Sequence, residues 1–425
     1  MSQQNVYRNH LSKEILNPKD SYVYYITSDG NIIADDLVAH WCPDKNKVLS
    51  NTYENNIGCI KYKRKVKRLY IHKSATNGKL TDLILPRSVE SFGATLLDTL
   101  ININLPIKLK TLTGEAFLRC TNLEIDLEEW TNQLTQYSGR SFSYAYKAYG
   151  KFVLKSGVKI SPEDNRESSL ACRTSCSHVY MESGFTYKLP MPHNPFGYST
   201  QLTSIIVEEG NPNFYSYNDK AMYEKGTNKL VSVVADSNDI WIDGISDMRT
   251  HMFAGLTLVD DFAIPDTITT LPSHCFESAT LNANFTYPAN LSTIGTQCFQ
   301  YANPNTDNWI MPAVEEYPEQ AFYYFQWKQI NVVVPEGVKR IGWACFYGNM
   351  YSARHIYLPS TIEEMQDAAF GFRYVTIYAV TPPTIKASTF VNSTVEIYVP
   401  AESLEAYKTA EYWTKWASRI YAISE

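Results

Sequence analysis

The chain of 425 residues contains no run of about 20 apolar residues, the length a helix needs to cross a bilayer, so no transmembrane segment is expected. Its opening, MSQQNVYRNHLSKEIL, lacks the apolar core of about 7 to 15 residues and the small-residue cleavage site of a secretory signal. As written, it predicts either a cytoplasmic protein or one whose signal has been removed. Charge is sparse: 19% of residues are charged, 38 basic against 44 acidic, for a net charge of −6. That balance disfavours nucleic acid and anionic membranes as general partners, since both select basic surfaces. Cysteine is thin (Cys42, Cys59, Cys120, Cys172, Cys176, Cys275, Cys298 and Cys345), unlike the dense frameworks of small secreted domains, and free thiols are expected. Glycine and proline, 19 and 20 residues, are too few for a collagen-like or low-complexity chain, while 44% hydrophobic residues can bury a large core. The one excess is tyrosine, 31 residues.

An internal repeat fixes the architecture. Aligned on a proline, FAIPDTITTLPSHCF, FTYPANLSTIGTQCF, VVVPEGVKRIGWACF and IYLPSTIEEMQDAAF are copies of one unit, with WIMPAVEEYPEQAF one residue short among them. The closing residues Phe253, Phe276, Phe299, Phe322, Phe346 and Phe370 recur every 23 or 24 positions, and worn copies close at Phe117 and Phe142. Residues before the proline alternate and favour β-branched and aromatic types, which predicts a short strand that the proline ends. Two spaced aliphatics, such as Ile268 and Leu271, then a small residue and the phenylalanine, turn inward. Such a unit cannot bury its apolar side alone, whereas about a dozen stacked copies bury a continuous core. The expected fold is a β-rich solenoid with short parallel strands, short helical turns and a C-terminal helical cap. Residues 1–60 are expected as a lead-in or cap, 61–400 as the solenoid with an irregular stretch near 155–200, and 401–425 as the C-terminal cap. There AESLEAYK reads as a short helix, and Tyr412, Trp413 and Trp416 as apolar bulk over the last coil.

The strand, Pro, paired aliphatics and Ala-Phe or Cys-Phe motif resembles the BspA-like leucine-rich repeats of bacterial surface proteins, especially of the Bacteroides group. SYVYYITSDGNII with VLSNTYENNIGCIKY is similar to that family's lead-in, and VEIYVPAESLEAYKTAEYWTKWASRIYAI to its capping segment. LTSIIVEEGNPNFYSYNDKAMY resembles its longer repeat variant, with Asn218-Asp219-Lys220 in place of an Asp-Gly turn. Residues 155–184 depart from the pattern, keeping neither the proline nor the phenylalanine register, and read as an irregular coil or loop. The resemblance implies a non-enzymatic, cell-surface or secreted adhesion scaffold whose partner is a host or microbial surface protein or a glycan. An intracellular or particle-associated assembly protein is the alternative.

Candidate sites follow from the predicted strands. Two residues before each proline the side chain faces outward, which places Thr286, Ile310, Val333, Tyr357 and Tyr398 in a column, with Tyr378 added by analogy. Two residues earlier stand Asn284, Asn308, Asn331, His355, Thr376 and Glu396. Tyr357, Tyr378, Tyr398, His355, Asn308 and Asn331 are the candidate ligand-binding residues, because rings beside amides suit a sugar or a protein surface. The competing reading is that these are ordinary exposed strand residues. Cys172, Cys176 and His178 are the one sequence-local group of metal-ligand types, but structural zinc needs a second pair, so neither metal nor other cofactor is expected. The basic run KYKRKVKR (Lys61 to Arg68) could touch a polyanion or simply blunt a sheet edge. Acid pairs Asp260-Asp261, Glu315-Glu316 and Glu363-Glu364 diverge on extended backbone, and no catalytic residue is expected. Cys275, Cys298 and Cys345 stand where other copies carry alanine and are expected to be packed thiols.

Overall fold

The structure, a computed structural model, describes Ile15 and residues 18–44, 46–76, 78–95, 97–161, 170–171, 173–189, 192–234, 239–260, 262–348 and 354–423. The fold is a β-solenoid that divides into two compact units, Met1–Lys225 and Gly226–Glu425.

The first unit opens with an antiparallel cap. Tyr22–Thr27 lies between Ile57–Tyr62 and Leu80–Ile84, and Val48–Glu54 pairs outside Ile57–Tyr62. Alternate residues of Tyr22–Thr27 are buried, as a half-covered strand requires. The buried set, Val23, Tyr25, Ile60 and Tyr62, surrounds Trp41, whose ring meets Tyr25 edge-on at 5.9 Å. Parallel ladders then carry the coils: Arg68–His72, Ser91–Thr95, Thr111–Thr113, Gln136–Ser138 and Lys159–Ser161 form one. Tyr149–Leu154, Ser175–Met181 and Ser204–Val207 form another.

Among the described residues of the stretch near 155–200, Lys159–Ser161 and Ser175–Met181 stay in the ladders. The coil here is longer, and Ala171 takes the closing position of the missing phenylalanine: the Ala171 N–H reaches Pro195 O as that of Phe117 reaches Ser141 O. The unit ends in the hairpin Phe214–Tyr217 with Ala221–Glu224. Asn218 and Asp219 both adopt left-handed backbone at φ 51° and 55°, which a type I′ turn demands.

The second unit holds the regular repeats, whose coils stack through three ladders, the first of them formed only by the later coils. On the strand side, Asn331–Val333, His355–Leu358, Tyr374–Ile377, Glu396–Val399 and Ile420–Ala422 run parallel in that order. The strands expected before Pro265, Pro288 and Pro312 do not form. Ala263 and Thr286 make a single bridge. At the coil that is one residue short, the Gln329 side chain replaces backbone pairing. It accepts from the Trp309 N–H at 2.5 Å and donates to the Trp309 and Asn331 carbonyls at 3.2 and 3.0 Å.

After the proline a second ladder pairs Thr270–Leu271 with Thr293–Ile294, and Glu316–Tyr317 with Arg340–Ile341 and Glu364–Met365. Its Leu271, Tyr317, Ile341 and Met365 point into the core.

The third ladder runs through the closing phenylalanines. Residues two before them (His251, His274, Gln297, Gln320, Ala344, Ala368) and two after (Gly255, Ser278, Tyr301, Tyr324, Gly348) are left-handed, at φ 50–81°. The alternation turns every second N–H toward the next coil: His274, Phe276 and Ser278 donate to the carbonyls of Thr296, Cys298 and Gln300 at 2.8–3.0 Å. Phe253, Phe276, Phe299, Phe322, Phe346 and Phe370 consequently stack face to face, with centroids 5.1–5.8 Å apart. Cys275, Cys298 and Cys345 are free thiols buried beside this stack.

The final coil is covered as expected by a short helix, Leu404–Thr409, preceded by a 3-10 turn. Trp413 and Trp416 are buried against Phe390 at 5.8 and 5.7 Å, and the Trp413 indole N–H donates to Pro383 O at 2.9 Å. Tyr412 departs from expectation: its left-handed backbone, φ 62°, turns the ring outward and leaves it 45% exposed. No described helix is long and apolar enough to cross a membrane.

Candidate functional site

The outer face of the strand ladder gathers the expected aromatic residues in a register different from the expected one. Val333, Tyr357, Thr376 and Tyr398 occupy successive rungs, and Tyr421 follows Tyr398. Tyr378 is not in this column: it lies one residue beyond the strand Tyr374–Ile377 and is exposed. The coil from Phe370 to Phe390 spans only 20 residues against 24 for the one before it, so analogy with the neighbouring repeats misplaces the strand. In the neighbouring column Tyr374, not Thr376, follows Asn331 and His355 and precedes Glu396. Two columns thus interleave their rings.

Their contacts form one cluster. The His355 ring stacks on Tyr357 at 4.1 Å and lies 5.7 Å from Tyr374 and 6.3 Å from Tyr398, which in turn meets Tyr421 at 5.7 Å. His355 Nε2 shares a 2.8 Å hydrogen bond with Thr376 Oγ1, and partial burial pulls its pKa below the usual imidazole value. The Tyr398 hydroxyl donates to Glu396 at 2.9 Å, and Arg373 lies over the Tyr374 ring at 5.2 Å. Flat apolar faces are thus bordered by one carboxylate, one guanidinium and hydroxyls. Such a surface can stack on a sugar ring or a side chain and hydrogen-bond at its edge.

Asn331, on the rung beside His355, and Asn308 line an open groove of about 680 Å³. Its walls include Ile310, Ile330 and Val333, each more than 60% exposed, where Gln329 interrupts the ladder.

The other sequence candidates are held by neighbours. Lys65 pairs with Asp20 at 2.5 Å, Lys67 with Glu90 at 3.3 Å and Arg68 with Asp44, so three of the six basic residues of the run, which links two strands, are tied to acidic partners. Glu316 accepts from Arg340 at 3.1 Å, and Glu315 lies 3.5–3.6 Å from Arg340 and Lys339. Cys172 lies outside the described residues. Cys176 is buried with its thiol on the His178 carbonyl at 3.2 Å, while the His178 ring turns to Ser177.

A second aromatic surface escaped sequence reasoning. Tyr301, Tyr323, Tyr324 and Tyr347 cluster on the turn ladder, with the Tyr323–Tyr347 and Tyr301–Tyr324 rings stacked at 5.5 and 5.8 Å. Each follows its closing phenylalanine by one or two residues, so the phenylalanine register already contained the signal.

Stacked coils of 23 or 24 residues, each closed by an inward phenylalanine, define a leucine-rich-repeat solenoid. The BspA type leucine rich repeat region matches in 6 copies over residues 51–165 and 243–400, more than half of the chain, and the chain belongs to that family. Similar solved structures include a leucine rich cell surface protein from Faecalibacterium prausnitzii, 15% identical, with a TM-score of 0.42, covering 77% of this chain and 85% of that one. The pneumococcal vaccine antigen PcpA is 15% identical, with a TM-score of 0.46 and coverage of 88% and 87%. A leucine-rich repeat protein from Eubacterium ventriosum is 12% identical, with a TM-score of 0.44 and coverage of 90% and 94%. No curated protein matches the chain.

Proposed function

We propose that this protein is a non-enzymatic recognition scaffold, placed at the cell surface or outside the cell, that binds a protein or a glycan on the outer face of its strands. The observation carrying this reading is the continuous cluster of His355, Tyr357, Tyr374, Tyr398 and Tyr421, five rings on adjacent rungs. Tyrosine gives large contact area at low cost in side-chain entropy, and rings fixed by a sheet are already arranged for a partner. Membership of the family supports a binding role, since stacked repeats offer an extended surface without chemistry of their own.

The test is Tyr357→Ala combined with Tyr398→Ala, compared with the parent on an array of immobilised glycans and extracellular-matrix proteins. Binding should fall while the melting temperature shifts by no more than a few degrees, because both rings lie on the outer face. Loss of stability in step with binding would make the cluster structural. Self-association of the parent with no binding to the array would favour an assembly role.

A further inference from the structure

We propose that His251, His274 and Glu277 form a binding site for a divalent transition-metal ion such as Zn2+ on the turn ladder of the second unit. The ligand atoms of the three side chains lie within 4.8 Å of one another. His251 and His274 both stand two residues before a closing phenylalanine, 23 residues apart, in the same left-handed conformation. The ladder therefore sets them side by side on adjacent coils, with rings parallel at 4.2 Å. Glu277, just after Phe276, points its carboxylate at both: Oε2 is 2.8 Å from His274 Nδ1 and 3.7 Å from His251 Nε2. All three side chains are less than one-fifth exposed.

Two imidazoles and a carboxylate are the donor set that borderline divalent ions take. The outer contact has the form expected of a ligating histidine: His251 Nδ1 is held by Thr250 Oγ1 at 3.2 Å, which orients Nε2 toward the shared centre. Ligand nitrogens on one zinc ion sit about 3.4 Å apart, from a Zn–N distance of about 2.1 Å. Because an imidazole nitrogen donates in its own ring plane, the ion would be taken up with the two rings tilting out of their parallel stack. The next coil shows what the corner looks like when only internal pairing is served: Gln297 donates to Gln300 at 2.6 Å, an amide pair in place of His274 and Glu277. Later coils carry Gln320, Ala344 and Ala368 at the histidine position, so the donor set is confined to these two coils.

That amide pair also supplies the control. The tag-free full chain and a His274→Gln/Glu277→Gln variant, which copies the neighbouring coil, would be titrated with Zn2+ by calorimetry and with Cu2+ by electron paramagnetic resonance. Expected are one ion per chain, nitrogen hyperfine coupling from two imidazoles, and affinity at least about tenfold weaker in the variant, as for lost metal-site contacts. His251→Gln should reduce the coupling to one nitrogen. Absence of Zn2+ binding by the parent, or equal binding by a variant whose circular dichroism is unchanged, would overturn the proposal.

Discussion

At one position, the second residue after the closing residue of the coil, the two units use the same backbone and different chemistry. In the first unit Arg119, Tyr144, Arg173 and Tyr198 are left-handed at φ 56–61° and interleave cation with ring: Arg173 lies 5.1 Å from Tyr144 and 4.0 Å from Tyr198, and Arg119 6.0 Å from Tyr144. In the second unit the position holds Gly255, Ser278, Tyr301, Tyr324 and Gly348. Steps of 25, 29 and 25 residues separate the first set, while the second keeps steps of 23 or 24. The cores differ accordingly. Phe117 and Phe142 are tilted by 44° and Phe142 meets Phe152 edge-on at 88°, whereas Phe276, Phe299, Phe322 and Phe346 are parallel within 7° from one to the next. Constant coil length lets the closing phenylalanines stack face to face, whereas the edge-on rings that pack against them occur in both units.

The largest effect expected from this contrast is on stability. Phe299→Ala and Phe142→Ala should each cost about 3–5 kcal/mol, as truncations of fully buried phenylalanines do. Leucine separates the two. The Phe299 ring is stacked between parallel rings at 5.2 and 5.3 Å, contacts that leucine gives up on both faces, so Phe299→Leu should cost more than Phe142→Leu. Phe142 sits in a pocket of edges, where leucine should cost less than about 1.5 kcal/mol. Denaturant unfolding of the four variants checks this, and equal leucine costs would break the comparison.

A smaller effect concerns close approach of coils. In the regular unit a methyl group at Gly295 or Gly342 would meet backbone of the preceding coil, at Pro272–Ser273 and at Pro318–Glu319. At Gly93 in the first unit it would chiefly meet the Thr113 hydroxyl and the Tyr70 ring, which can turn aside. Gly295→Ala and Gly342→Ala should therefore lose about 1–3 kcal/mol as overpacked sites, and Gly93→Ala less. Thermal melts that rank Gly93→Ala lowest would reverse the argument.

What could be read from sequence follows the same division. The repeat and the buried thiols were legible because each phenylalanine recurs at a fixed step that the solenoid preserves, and the cap tryptophans because apolar bulk follows the last strand. Tyr378 was misplaced because its coil is shortened, and a period read from neighbours carries no information about a local deletion. The coil around Ala171 lost its marker when alanine took the phenylalanine position, although the backbone hydrogen bonds there are unchanged. The His251, His274 and Glu277 corner and the Tyr301 cluster require knowing that residues beside the phenylalanine are left-handed and stack across coils, a conformation that composition and alternation do not signal.

The smallest effect, and the finest probe of the contrast, is thiol reactivity. Cys59 is half-buried in the antiparallel cap of the first unit, while Cys275, Cys298 and Cys345 are buried beside the phenylalanine stack of the second. Burial raises all four thiol pKa values, well above the usual thiol range for the three in the stack. Because the thiolate is the reactive form, access and ionisation act in the same direction. Iodoacetamide at pH 8 should label Cys59 first of these four, and the stack thiols only on unfolding, as read by peptide mass spectrometry against time. Early labelling of Cys298 would mean that the parallel stack opens locally under native conditions, and its regularity would then reflect easy stacking geometry more than tight packing.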